Sequence, residues 1–121
     1  MREDKLSVQS MSFAVEIINL VKELKVKKES IMSNQIGRSG TSIGANIREA
    51  HYAHGTADFI AKLQIALKES NETSYWLELL FKTDYIDEPT YKYLNSQCTS
   101  IRVMLISSIK TAKSNSNIQK H

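Results

Sequence analysis

Gly37, Gly40 and Gly44 stand at i, i+3 and i+7 in the stretch "QIGRSGTSIGANIREA", Gln35 to Ala50. That spacing places all three along one side of a helix, and no proline interrupts the run. A glycine inside a helix costs about 1 kcal/mol relative to alanine. Three of them therefore need a compensating contact, and close approach of a neighbouring helix backbone supplies one. A loop would not require the spacing.

The phosphate-loop alternatives fail on the same residues. G-x-x-x-x-G-K-[ST] needs a glycine where Ser42 stands, and G-x-G-x-x-G is absent. "GRSG" matches the four-residue loop of a KH domain, but that loop belongs to a sheet-containing fold, and no strand pattern is present. With one proline and four glycines in 121 residues, the chain has few of the turn signals that a strand-rich fold needs.

Four amphipathic segments are predicted. The first runs from about Asp4 to Lys27, with Leu6, Phe13, Ile17, Leu20 and Leu24 at helical spacing. Met11, Ala14, Val15, Ile18 and Val21 widen its apolar arc to roughly two thirds of the circumference, beyond the stripe of an ordinary surface helix. The second holds the glycines, with Met32, Ile36, Ser39, Gly40, Ile43, Ile47 and Ala50 on one face. The third spans about Ala57 to Asp84, with Thr56 as its expected N-cap. Phe59, Leu63, Ala66, Leu67, Ser70, Leu77, Leu80 and Phe81 form its core face; Ile65, Trp76 and Leu79 lie opposite, among Glu69 and Glu72. In the fourth, Asp87 or Glu88 caps and Pro89 sits in the first turn, where its missing N–H is harmless. Leu94, Cys98, Ile101, Leu105 and Ile109 form its stripe.

The expected fold is all-α: an antiparallel up-down-up-down four-helix bundle over residues 1–113, with a frayed tail over 114–121. Apolar surface left over on the first, third and fourth segments argues for a homo-oligomer. Cys98 is the single cysteine and lies on an apolar stripe, so it reads as a small buried hydrophobe rather than a nucleophile. No apolar run spans a bilayer and the N-terminus has no apolar signal core, so a cytoplasmic location without membrane contact is expected.

No cofactor, metal or catalytic set emerges. His51 and His54, with Glu49, lack the Glu-x-x-His pairs of a di-iron bundle. The polar constellation that does emerge is Arg38, Ser42, Asn46 and Glu49 on the flank of the second segment. Glu69 and Glu72 on the third are in reach of Arg38 as a bidentate pair. With Trp76, these residues are expected to form an interface or register network. The formal charge is +3. Residues 87–121 carry five basic side chains and two acidic ones; residues 56–86 carry three and five. Basic candidates for a nucleic-acid surface are Lys22, Lys25, Lys27 and Lys28 at one bundle end, together with Lys110 and Lys113, and Arg48 with Arg2 and Lys5 opposite the first four. Lysines closing the first helix also suit its negative dipole end.

"QIGRSGTSIGANIREA" followed by "DFIAKLQIALKESNETSYWLELL" resembles the family of proteins encoded in intervening sequences of bacterial 23S ribosomal RNA. That family is related to the accessory variability determinant of diversity-generating retroelements. The likeness covers about Asp4 to Lys110. Arg38, Ser42, Ile43, Asn46, Ile47, Glu49 and Ala50 fit its first pattern; Phe59, Leu63, Ala66, Glu69, Glu72 and Leu77 fit its second. The resemblance implies a pentameric ring of four-helix bundles without enzymatic activity. It also implies, for some relatives, binding of RNA, DNA or a reverse transcriptase. The alternative function is a homo-oligomeric scaffold for other proteins.

Overall fold

The computed structural model describes residues 4–119, which form four helices: α1 (Lys5–Val26), α2 (Ile31–His51), α3 (Thr56–Lys82) and α4 (Glu88–Gln119). No strand occurs among the described residues. Cross-helix contacts fix the directions. Gly37 faces Val21, Gly40 faces Ile17 and Gly44 faces Ser10, so α2 runs antiparallel to α1. Ser39 meets Thr73, Ser74 meets Asn95 and Ser100 meets Gln9, which extends the alternation to α3 and α4. The result is an up-down-up-down bundle in which each helix touches its two neighbours.

The core is the set of apolar positions that recur at helical spacing. Phe13, Ile17, Leu20 and Leu24 meet Ile36, Ile43, Ile47 and Ala50, Leu63, Ala66, Leu77 and Leu80, and Leu94, Cys98, Ile101, Leu105 and Ile109, all buried. The glycines lie at the α1–α2 contact. A Cβ on Gly40 would stand 2.9 Å from Cγ2 of Ile17, closer than real Cβ atoms come. Gly37 and Gly44 are less confined, with Val21 Cγ2 and Ser10 Oγ each 3.3 Å from where a Cβ would lie. The nearest contacts of the glycines are mainly with α1 side chains, and Gly44 also comes against backbone, the Ser10 carbonyl at 3.5 Å.

The helix ends show what the periodicity misses. Glu29 is buried, and its carboxylate accepts from the N–H groups of Ile31 (3.1 Å) and Ser33 (2.8 Å), so it caps α2 from just outside the helix. Lys28 (φ 63°) and Asp84 (φ 66°) adopt the left-handed conformation just past α1 and α3. There the N–H of the next residue returns to a carbonyl one turn back, Glu29 to Leu24 and Tyr85 to Leu80. Asp87 caps α4 through the Thr90 N–H at 2.9 Å. Thr56 is not the cap of α3 but its first residue. Gly55 holds that place, its carbonyl accepting the first helical bond from the Phe59 N–H. Where a frayed tail is expected from residue 114, α4 continues to Gln119, and nothing after Lys113 is a glycine or proline that would stop it. Residues 120 and 121 lie outside the described residues.

Two measurements test this account. Gly40→Ala should lower stability by about 1–2 kcal/mol, since overpacking against Ile17 outweighs alanine's helix propensity. Gly44→Ala should be near neutral, and Ile17→Ala should remove most of the Gly40→Ala penalty in a double-mutant cycle read by urea unfolding. The second concerns acid. Burial raises the Asp4 carboxyl, but the Ser7 N–H and hydroxyl and His51 together outweigh it and hold it below the usual aspartate value. Hydrogen bonds from the Thr90 side chain and backbone hold Asp87 low as well. A carboxyl lowered by folding contributes stability above its unfolded pKa, which is lost as pH falls through the folded one. The melting temperature should therefore drop below about pH 4, and Asp87→Asn should shallow that drop.

Candidate functional site

On the outer side of α2 the sequence brings Arg38 opposite two acids of α3. Arg38 Nη1 lies 3.2 Å from Glu69 Oε2, and Nη2 bonds Glu72 Oε2. The Trp76 Nε1–H donates to the same Glu72 oxygen at 3.2 Å. Helical spacing explains the cluster: Glu69, Glu72 and Trp76 are one turn apart on α3. Half of the Arg38 side chain is exposed. Below the cluster, Thr73 is fully buried; its hydroxyl bonds the Glu69 carbonyl (2.8 Å) and stands 2.9 Å from the Ser39 hydroxyl. The α2–α3 contact thus has a polar seam with an ionic lid.

Within the chain, Ser42, Asn46 and Glu49 do not join the Arg38 cluster. Ser42 donates to the Arg38 carbonyl at 2.6 Å and Asn46 to the Ser42 carbonyl at 2.9 Å, so both bond the backbone of their own helix. Short side chains one turn apart reach their own helix sooner than the next one. Glu49 lines a separate groove on the α1–α2 side.

That groove, about 790 Å³, lies beside Gly44 and is lined by Ser10, Ala14, Gly44 and Ala45, with Met11 and Tyr52 beside them. At its mouth His51 Nε2 is 2.8 Å from Asp4 Oδ2 and 3.0 Å from the Ser7 hydroxyl. Serine, histidine and aspartate meet here, but both partners share one ring nitrogen. A nucleophilic triad needs the aspartate on the other nitrogen, so the trio ties the start of α1 to the end of α2 and is not set up for acyl transfer. His51 and His54 belong to no metal-ligand cluster among the described residues. Cys98 is buried, its thiol donates to the Ser70 carbonyl at 3.3 Å, and burial pushes its pKa up to about 11. It is an unreactive core residue.

The basic candidates divide between the two ends. Lys22, Lys25, Lys27 and Lys28 lie where α1 stops, α2 begins and α3 passes into α4. Lys27 Nζ there donates to the Tyr85 carbonyl at 3.0 Å, and Asp87 feels the Lys27 charge. Glu23, Glu29, Asp84, Asp87 and Glu88 share this end, so its lysines stand among carboxylates. Arg48, Lys110 and Lys113 lie at the other end with Lys5, beside three carboxylates, Asp4, Glu49 and Asp58, against five at the first end; Arg2 is outside the described residues. After Glu88, the charged residues of α4 are all basic: Lys92, Arg102, Lys110 and Lys113.

Apolar side chains remain outside. Val8, Met11, Val15 and Ile18 repeat at i, i+3, i+7 and i+10 on the outer face of α1, and Val15 is 55% exposed. Ile65 and Tyr75 on α3 and Val103 and Ile106 on α4 are also exposed. Trp76, expected on the outward face, is half-buried and meets Tyr75 edge to face at 5.0 Å. No helix among the described residues is long and apolar enough to cross a membrane.

Comparison with known proteins adds the following. The 23S rRNA-intervening sequence protein family matches residues 3–107. A crystal structure from Bacteroides thetaiotaomicron, of a protein with unknown function from the S23 ribosomal protein family, is 57% identical, covering 87% of this chain and 98% of its own, with a TM-score of 0.85. No curated protein matches the sequence.

If the Arg38 cluster is a register device, Arg38→Ala and Glu72→Gln should show a coupling of about 0.5–1 kcal/mol in a double-mutant cycle. Glu72→Gln should also shift Trp76 fluorescence. Additive effects with unchanged emission would mean the pair holds nothing in place.

Proposed function

This chain belongs to the 23S rRNA-intervening sequence protein family, and on that premise we propose that it is a non-enzymatic accessory protein that assembles into a homo-oligomeric ring and holds RNA or DNA against basic surfaces of that ring. The observation that carries the nucleic-acid part is the charge distribution of α4. Lys92 near its start pairs with Glu88 at 2.7 Å, but from Tyr93 to Gln119 the helix carries Arg102, Lys110 and Lys113 with no acid between them. Polyanion binding depends on cations free of competing carboxylates. The end that holds Lys110, Lys113 and Arg48 meets that condition better than the end that holds Lys22, Lys25, Lys27 and Lys28.

Self-assembly is supported by the outer face of α1. Four exposed apolar residues at coiled-coil spacing form a stripe that a lone chain leaves in water. Five copies is the ring size that the resemblance implies. The Arg38–Glu69–Glu72 cluster takes no part in chemistry in this reading; it fixes α2 against α3.

A second reading replaces the nucleic acid by a protein partner, a reverse transcriptase or another protein. What favours it is the Tyr75–Trp76 pair with Ile65, an aromatic and apolar patch on α3 of the kind that anchors interfaces.

Light scattering with and without mixed RNA, followed by salt titration, separates the readings. The proposal expects an oligomer whose RNA affinity falls steeply with salt. Lys110→Glu with Lys113→Glu should weaken binding more than tenfold and reduce the salt slope by about 2. Lys22→Glu with Lys25→Glu should do much less. An oligomer that ignores RNA at low salt but loses a protein partner on Trp76→Ala supports the scaffold reading instead.

A further inference from the structure

We propose that the seam between α1 and α4 is the line along which the bundle opens reversibly, parting the first helix from the last while α2 and α3 stay packed. The four helix contacts are made in different ways. Ile17 sits against Gly40 at the α1–α2 contact. Thr73 and Ser39 bond in the dry interior between α2 and α3. Phe81 and Tyr91 stack at 4.8 Å between the α3 end and α4, and Cys98 bonds Ser70.

Among the described residues the α1–α4 contact shows no such lock, and these two helices pack less closely than the other neighbouring pairs. Its bonds are side chain to side chain. Across the seam Tyr93 donates to Glu16 at 3.3 Å and Ser100 to Gln9 at 3.4 Å, while within α4 Gln97 donates to Tyr93 at 3.1 Å. All three lie among solvent-exposed groups, where such bonds contribute little. The Gln97 amide oxygen is buried without a protein hydrogen-bond partner, and opening the seam would give it water to bond. No short link joins the pair either, because α2 and α3 lie between them in the sequence. The seam is therefore the contact that opens before the whole molecule unfolds.

Thiol labelling of the full-length chain tests this, with Cys98→Ala removing the native cysteine. Ile101→Cys reports on α4 one turn from Gln97, and Ile43→Cys reports on α2. Labelling of Ile101→Cys is expected to be at least tenfold faster than that of Ile43→Cys and to respond weakly to denaturant. Gln97→Leu should slow it about tenfold. Thr73→Ala, which weakens the α2–α3 contact, should speed labelling at Ile43→Cys and leave Ile101→Cys unchanged. Equal labelling rates and denaturant slopes at the two sites would overturn the proposal. So would a Thr73→Ala effect of the same size at both, or no response of Ile101→Cys to Gln97→Leu.

Discussion

Steric fit between Gly40 and Ile17 sets how closely α2 lies on α1, and the rest of the bundle is arranged around that distance. A side chain at position 40 would collide with Ile17. Its absence lets the two helices approach until Gly44 meets Ser10, backbone included. The closeness is what brings the end of α2 to the start of α1, where His51 joins Asp4 and Ser7. It also leaves the groove beside Gly44. With one flank of α2 taken up by α1, its other flank turns Ser39 and Arg38 toward α3, where Thr73 and the two glutamates wait. The apolar core then closes through residues that any bundle of this length would use.

Polar groups finish what packing begins. Every link between helices carries a backbone or side-chain device that stops one helix or starts the next. Glu29 is the most informative of these. A buried carboxylate without a cation nearby would be costly, but two backbone N–H groups at the start of α2 hold it. The same local logic operates at Asp4 and Asp87. The α1–α4 side is the exception, because the hydrogen bonds across it are exposed and join side chains distant in sequence.

Much of this was legible in the amino-acid order. The spacing of Phe13, Ile17, Leu20 and Leu24, and of Ile36, Ile43 and Ile47, states which faces are inside, since burial follows the 3.6-residue period. Arg38 opposite Glu69 and Glu72 was readable because charges one turn apart on a neighbouring helix are within reach of a long side chain. Other features carry no periodic signal. Glu29 looks like one more surface charge in a lysine-rich stretch, and only the turn geometry makes it a cap. Thr73 completes the core spacing of Ala66, Ser70 and Leu77, but its hydroxyl hides it from a search for apolar residues. Ser42 and Asn46 share a flank with Arg38, yet flank position does not say whether a short side chain bonds outward or to its own backbone. The lysines were readable as charges but not as neighbours of Asp84 and Asp87, which approach only through the fold.

Family membership and the bundle agree. All of it presumes that the glycine-bearing helix is continuous and lies against α1. Nuclear Overhauser contacts in the purified protein test that directly. The account predicts strong cross-peaks from the Ile17 methyls to the Gly40 Hα protons, from the Val21 methyls to Gly37, and from the Ser10 Hβ protons to Gly44. Absence of those cross-peaks, or loop-like chemical shifts at the three glycines, would contradict it.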